Sequence, residues 1–231
     1  MLNKLKNELK SLANSKQAVI LKRFFKTGKG EYGEGDIFLG IKVPVQRKIA
    51  QKYCELSLKE AVSLLKSKIH EHRLVAIFIL INHYQKTDKN GKGKIFKLYL
   101  KNTRYVNNWD LVDLSAPNIV GDYLLDKPRA VLYKLARSRN LWDRRISIIA
   151  TLTFIRSNEF DDTLKIAKIL LNDEHDLIHK AVGWMLREVG KRDQKLEENF
   201  FKKRYKKMPR TMLRYAIEKF SENKRKYYMK K

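Results

Sequence analysis

From Pro44 onward, apolar residues recur at i, i+3, i+4 and i+7 almost without interruption. That spacing belongs to amphipathic α-helices rather than to the alternation of half-buried strands. The breaks are short and fall at 88–93, 107–108, 127–128, 138–140, 172–174 and 207–209. Pro44, Pro128 and Pro209 each suit the first turn of a helix, where the missing N–H is not needed. Ahead of Pro44, the first 26 residues read as an amphipathic helix. A glycine-rich loop over 27–41 follows, carrying Gly28, Gly30, Gly33, Gly35 and Gly40. The pattern predicts an all-α chain.

The helices repeat. Segments opening at Arg73 (R-L-V-A-I-F-I-L), Trp109 (W-D-L-V-D-L-S-A), Arg145 (R-I-S-I-I-A-T-L), Lys180 (K-A-V-G-W-M-L-R) and Arg214 (R-Y-A-I-E-K-F) start 36, 36, 35 and 34 residues apart. A period near 35 fits two helices and their turns, the unit of a superhelical solenoid. One domain spanning 1–231 is expected. Positions 0 and +4 of a helix share a face, so equivalent helices should present one strip. That strip reads Arg73 and Ile77, Trp109 and Asp113, Arg145 and Ile149, Lys180 and Trp184, Arg214 and Glu218.

Charge gives the strip a meaning. The 231 residues hold 51 Lys and Arg against 25 Asp and Glu, a net charge of +26. Self-repulsion on that scale points to a polyanionic partner, and the pI of about 10.0 suits nucleic acid best. A membrane surface is the competing polyanion, but the longest apolar run, 74–81, is too short to span a bilayer. Cys54 stands alone, so no disulfide forms within the chain. With no apolar leader segment visible, a reducing cytoplasmic setting is expected. Arg73, Arg145, Lys180 and Arg214 then read as phosphate contacts.

Trp109, Asp113 and Trp184 interrupt that basic track. A carboxylate between aromatic faces is a cation site, and on DNA an obvious cation is an N-alkylated purine. Such a base leaves as a neutral group and needs no acid. A single carboxylate can stabilise the oxocarbenium-like sugar left behind, where an ordinary glycosidase needs two. The H-D-L-I-H run (175–179) mimics a zinc motif but offers no third ligand. His70 and His72 read as helix-start or surface residues.

Several segments resemble the DNA alkylation repair enzymes, the AlkD-type HEAT-like DNA glycosylases. They are N-W-D-L-V-D (108–113), L-W-D-R-R (141–145), H-K-A-V-G-W-M-L-R (179–187), F-L-G-I-K-V-P (38–44), E-H-R-L-V-A (71–76) and the C-terminal M-L-R-Y-A-I-E-K-F. The resemblance implies an ARM/HEAT-like superhelix and excision of cationic bases such as 3-methyladenine and 7-methylguanine from double-stranded DNA, without metal or cofactor; a solenoid needs no partner, so a monomer is expected. It places the catalytic carboxylate on Asp113, the groove tryptophans on Trp109 and Trp184, and the groove arginine on Arg145. One departure is Asn108, where the family often has a second tryptophan. Two other readings stay open: a DNA-binding relative without catalysis, and a protein-interaction scaffold. The +26 charge disfavours the scaffold.

Overall fold

The computed structural model describes residues 1–230, and among these no strand occurs. Among the described residues the one extended pairing is an isolated bridge between Ile37 and Ile69. The chain is all-α, as the pattern predicts, and divides into two compact units, Met1–Ser115 and Ala116–Lys231.

The first unit holds α1 (Leu2–Ser11), α2 (Ser15–Phe24), α3 (Val43–Lys52), α4 (Leu58–Leu65), α5 (His70–Lys86), α6 (Lys89–Lys101) and α7 (Trp109–Ser115). The expected first helix is two, because Asn14 caps α2 by accepting from the Gln17 N–H. Central to the unit is α5, against which α3, α4, α6 and α7 pack. It is buried almost all round, including Leu74, Val75, Ala76, Ile77, Ile79 and Leu80, as a helix without a polar face must be. Ser57 and Glu60 form a capping box on α4. Asp88 caps α6, so Gly91 and Gly93 lie inside a helix rather than in the break expected at 88–93.

The second unit holds α8 (Asp122–Leu124), α9 (Ala130–Leu135), α10 (Leu141–Ile149), α11 (Leu152–Arg156), α12 (Asp161–Ile169), α13 (Asp176–Gly190), α14 (Gln194–Lys202), α15 (Arg210–Ala216) and α16 (Glu222–Met229). Here α13 is central, packed on α10, α12, α14 and α15. Gly183 lets α15 come close, since a Cβ there would sit 2.4 Å from the Met212 carbonyl oxygen. Pro44 lies in the first turn of α3, whereas Pro209 caps α15 and Pro128 stands just before α9. Pro117, not singled out by the pattern, sits in a π-helical turn, Ala116–Gly121, that follows α7 directly in the chain. A proline has no N–H to donate to the carbonyl four residues back, here that of Asp113, and a widened turn is one way the helix absorbs this.

Glu197 in α14 is 1% exposed, and neither carboxylate oxygen has a hydrogen-bond partner. Burial, reinforced by Glu198, raises its pKa to about 9. Below its unfolded value of 4.5 the group is protonated in both states. Between 4.5 and about 9 only the folded chain retains the proton, so stability falls as pH rises through that window. The slope is at most about 1.4 kcal/mol per pH unit. Glu197→Gln, neutral throughout, is expected to lose this slope. Thermal denaturation from about pH 5 to about pH 9 checks it, and parallel curves for the two proteins would refute it.

Candidate functional site

The glycine-rich loop is pinned onto the start of α5. The Ile37 N–H donates to the Lys68 carbonyl (3.1 Å) and the His70 N–H to the Ile37 carbonyl (2.8 Å). Glu71, wholly buried, accepts from three successive backbone N–H groups: Leu39 (2.9 Å), Gly40 (2.8 Å) and Ile41 (3.3 Å). Gly40 has φ +85°, and a Cβ there would lie 2.1 Å from the Asn14 carbonyl oxygen, so the position requires glycine.

This loop delivers Asp36 to a buried ionic cluster. Asp36 accepts from Arg73 Nη2 (2.7 Å) and from Asn108 Nδ2 (3.3 Å), and lies 3.5 Å from His70 Nδ1. On its other side, His70 Nε2 meets Asp110 at 2.8 Å. Burial disfavours the imidazolium, but the Asp110 charge and the bonds to Asp110 and Asp36 outweigh it and raise the His70 pKa to about 9. Burial likewise opposes ionisation of Asp36, yet His70, Arg73 and Asn108 hold its carboxyl below the usual range. His70 and His72 are 2% and 6% exposed, which corrects their reading as surface residues. His70 is stacked on Phe38, with ring centroids 4.6 Å apart.

Trp109 opens α7 beside this cluster. It stacks on Phe25 (5.2 Å, 18° between planes) and meets Phe24 edge-on (5.8 Å). Phe24 is 61% exposed, an unusual state for so large an apolar ring. Asp113 follows one helical turn after Trp109, and both are half-buried. The first unit therefore presents an aromatic group and a carboxylate on one face of α7.

In the second unit, Lys180 and Trp184 share a face of α13. Lys180 pairs with Asp176 at 2.8 Å, and Trp184 Nε1 donates to Glu188 (3.2 Å). Arg145 is 4% exposed, and its Nη1 donates to the Leu177 carbonyl at 2.5 Å. Arg214 is exposed at the end of α15.

The profile of the DNA alkylation repair enzyme family matches residues 5–220. The chain belongs to that family. Among solved structures, a predicted DNA alkylation repair enzyme from Enterococcus faecalis aligns with a TM-score of 0.71 at 17% identity, covering 91% of this chain and 97% of that one. The protein smu.31 from Streptococcus mutans UA159 aligns with a TM-score of 0.54 at 15% identity, covering 87% and 94%. At these identities the likeness is one of fold. Comparison with curated proteins gives no significant match.

Within this family member, the strip expected from the repeat needs correction. Arg73 and Ile77 are 3% and 0% exposed, and Arg145 and Ile149 are 4% and 0% exposed, so these positions face the core. Arg73 spends its guanidinium on Asp36 and on the Ser67 (3.1 Å) and Lys68 (3.2 Å) carbonyls. It is an internal tie with no surface on which to meet a phosphate. The same tie recurs at Arg144, which binds Asp173 (2.6 Å) and the Ser138 (3.1 Å) and Arg139 (3.0 Å) carbonyls. Ser67 and Ser138, six residues before each arginine, accept from Ile69 and Asn140 N–H at 3.1 Å. The structural partner of Arg73 is thus Arg144 rather than Arg145, one residue off the sequence alignment.

The H-D-L-I-H run has local duties. His175 caps α13, and His179 Nε2 bonds the Asp173 carbonyl. Among the described residues no group of three or more His, Cys, Asp or Glu is placed to hold a metal, and no helix is long and apolar enough to cross a membrane.

Proposed function

We propose that this DNA alkylation repair family member is a monofunctional DNA glycosylase, hydrolysing the N-glycosidic bond of cationic N-alkylated purines such as 3-methyladenine and 7-methylguanine in double-stranded DNA. The observation that carries the reading is the pairing of Trp109 with Asp113 one turn apart on α7, both half-buried, in a chain of net charge +26. The indole face attracts the cationic base. The Asp113 carboxylate stabilises positive charge as it develops on the sugar, and it can orient the attacking water. Because the alkylated base departs neutral, no second carboxyl is needed as an acid, in contrast to ordinary glycosidases.

In the second unit, Trp184 offers an indole to DNA, and Lys180 and Arg214 offer cationic groups to phosphates. Arg145, held on the Leu177 carbonyl, is assigned to supporting α13, which carries Lys180 and Trp184. Arg73 has no part in DNA contact. No cofactor enters this scheme, and the chain acts as a cytoplasmic monomer.

The test is base release. Purified protein should liberate 3-methyladenine or 7-methylguanine from methylated duplex DNA, followed by chromatography of the freed base. Complete absence of release would sink the enzymatic reading and favour a DNA-binding relative without catalysis. Binding to the same duplex should weaken by on the order of a thousandfold between about 50 and 200 mM salt if roughly six phosphates are contacted. A flat salt response would remove DNA as the partner.

A further inference from the structure

The first unit contains a cavity of about 330 Å³ that the glycosylase reading does not use. Its walls are apolar and aromatic, with Phe25, Phe38, Ile41 and Leu74 among them, and its polar lining includes Lys42, Gln46 and Asp110. The volume falls in the range of small-molecule sites, ~300–1,000 Å³. Gln46 is 2% exposed; its Nε2 donates to the Ile41 carbonyl (2.7 Å), while its Oε1 has no partner. A buried acceptor without a donor is costly and calls for an explanation. Asp110, on the same cavity, receives one bond on each oxygen, from the Leu111 N–H (2.9 Å) and from His70 (2.8 Å). Each carboxylate oxygen can accept two, so capacity remains on both.

The occupant such a lining calls for is flat enough to pass between apolar walls, offers adjacent donors to Asp110 and Gln46, and offers acceptors to a lysine. Among nucleobases, guanine fits all three. Its amino group and ring N–H form a donor edge, and its O6 and N7 form the acceptor edge that lysine recognises. Adenine presents an amino donor but no O6, and thymine lacks the amino group. We propose that this cavity binds a single guanine base, with its donor edge toward Asp110 and Gln46 and its O6/N7 edge toward Lys42. The base can come from a free nucleoside or from an unstacked position in DNA, and the lining is the same for both.

Calorimetric titration of the full chain with 2′-deoxyguanosine, set against 2′-deoxyinosine, which lacks the amino group, tests the chemistry. The guanine nucleoside is expected to bind about tenfold more tightly, the worth of roughly one hydrogen bond in a buried site. A duplex with one bulged dG against one with a bulged thymidine tests the DNA source. Preference in the nucleoside arm, the DNA arm or both supports the proposal and says where the base comes from. Gln46→Leu should abolish the preference. Should that variant fold poorly, Val43→Trp, at a position 43% exposed on the cavity lining, blocks entry without touching the core. Equal binding of both nucleosides and both bulges overturns the proposal, as does a preference that survives Val43→Trp. The inference is separable from the glycosylase reading: Asp113→Asn should keep the guanine preference while losing base release.

Discussion

Asp113→Asn should release alkylated purines at least about a hundredfold more slowly than the wild type, the usual loss when one electrostatic stabiliser of a transition state is removed. The change is nearly isosteric: it removes the charge and turns one acceptor oxygen into an N–H donor. Its effect should therefore fall on the chemical step, since the carboxylate acts on a cation that is fully developed only as the glycosidic bond breaks. Affinity for undamaged duplex should hold or rise slightly, because the variant adds one unit to a net charge of +26. Asp113 is half-buried rather than wholly enclosed, so thermal stability should change little. The measurement is single-turnover release from methylated duplex with enzyme in excess, alongside melting temperature. A variant that keeps wild-type turnover would remove Asp113 from the chemistry. A variant that loses turnover together with its fold would not count in favour.

The largest expected effect on stability is at Glu71. Replacement by alanine leaves the N–H groups of Leu39, Gly40 and Ile41 without their acceptor, two of them bonded at 2.9 Å or less. Bonds to a charged acceptor are worth ~1.5–3 kcal/mol each, and unsatisfied buried donors cost about as much. The sum is at least ~4 kcal/mol, or a melting temperature lower by about 10 °C for a chain of this length. The damage should spread, because the loop that Glu71 holds also carries Asp36 to Arg73 and His70. Trp109, stacked on Phe25 just ahead of that loop, should report the change as a shift in fluorescence. A Glu71→Gln variant keeps one acceptor oxygen and should lie between the two. A drop of only a degree or two in Glu71→Ala would show that water replaces the carboxylate cheaply.

The helices were legible because the core of each unit is built from side chains at helical spacing, and because three of the breaks contain the residue that caps the next helix: Asp88, Asn140 and Pro209. The pairing of Trp109 with Asp113 was legible for the same reason, since both stand on one face of one helix. Arg73 was misread because a basic residue opening an apolar run looks like a solvated head. Its partner, Asp36, lies 37 residues earlier in a loop whose path no periodicity encodes. His70 was misread likewise: its two carboxylates come from that loop and from α7. Pro117 marks a subtler limit. Its neighbours keep a helical apolar pattern, and only the backbone reveals that the turn has widened. The one-residue slip between Arg144 and Arg145 arose because hydrophobic repeats align by their apolar faces, which tolerate a shift that a hydrogen-bonded tie does not.

The arginine tie has a consequence for how this chain could have grown. In both places the guanidinium closes on the two carbonyls that lead into its own helix, and only one carboxylate comes from outside that stretch. Ser67 to Arg73 and Ser138 to Arg144 are therefore self-contained clasps with the same internal spacing, 71 residues apart. A clasp that carries most of its own fastening can be duplicated in tandem and find its anion afterwards, from a preceding loop in one copy and a following turn in the other. The two aspartates, Asp36 before its arginine and Asp173 after it, fit that order of events.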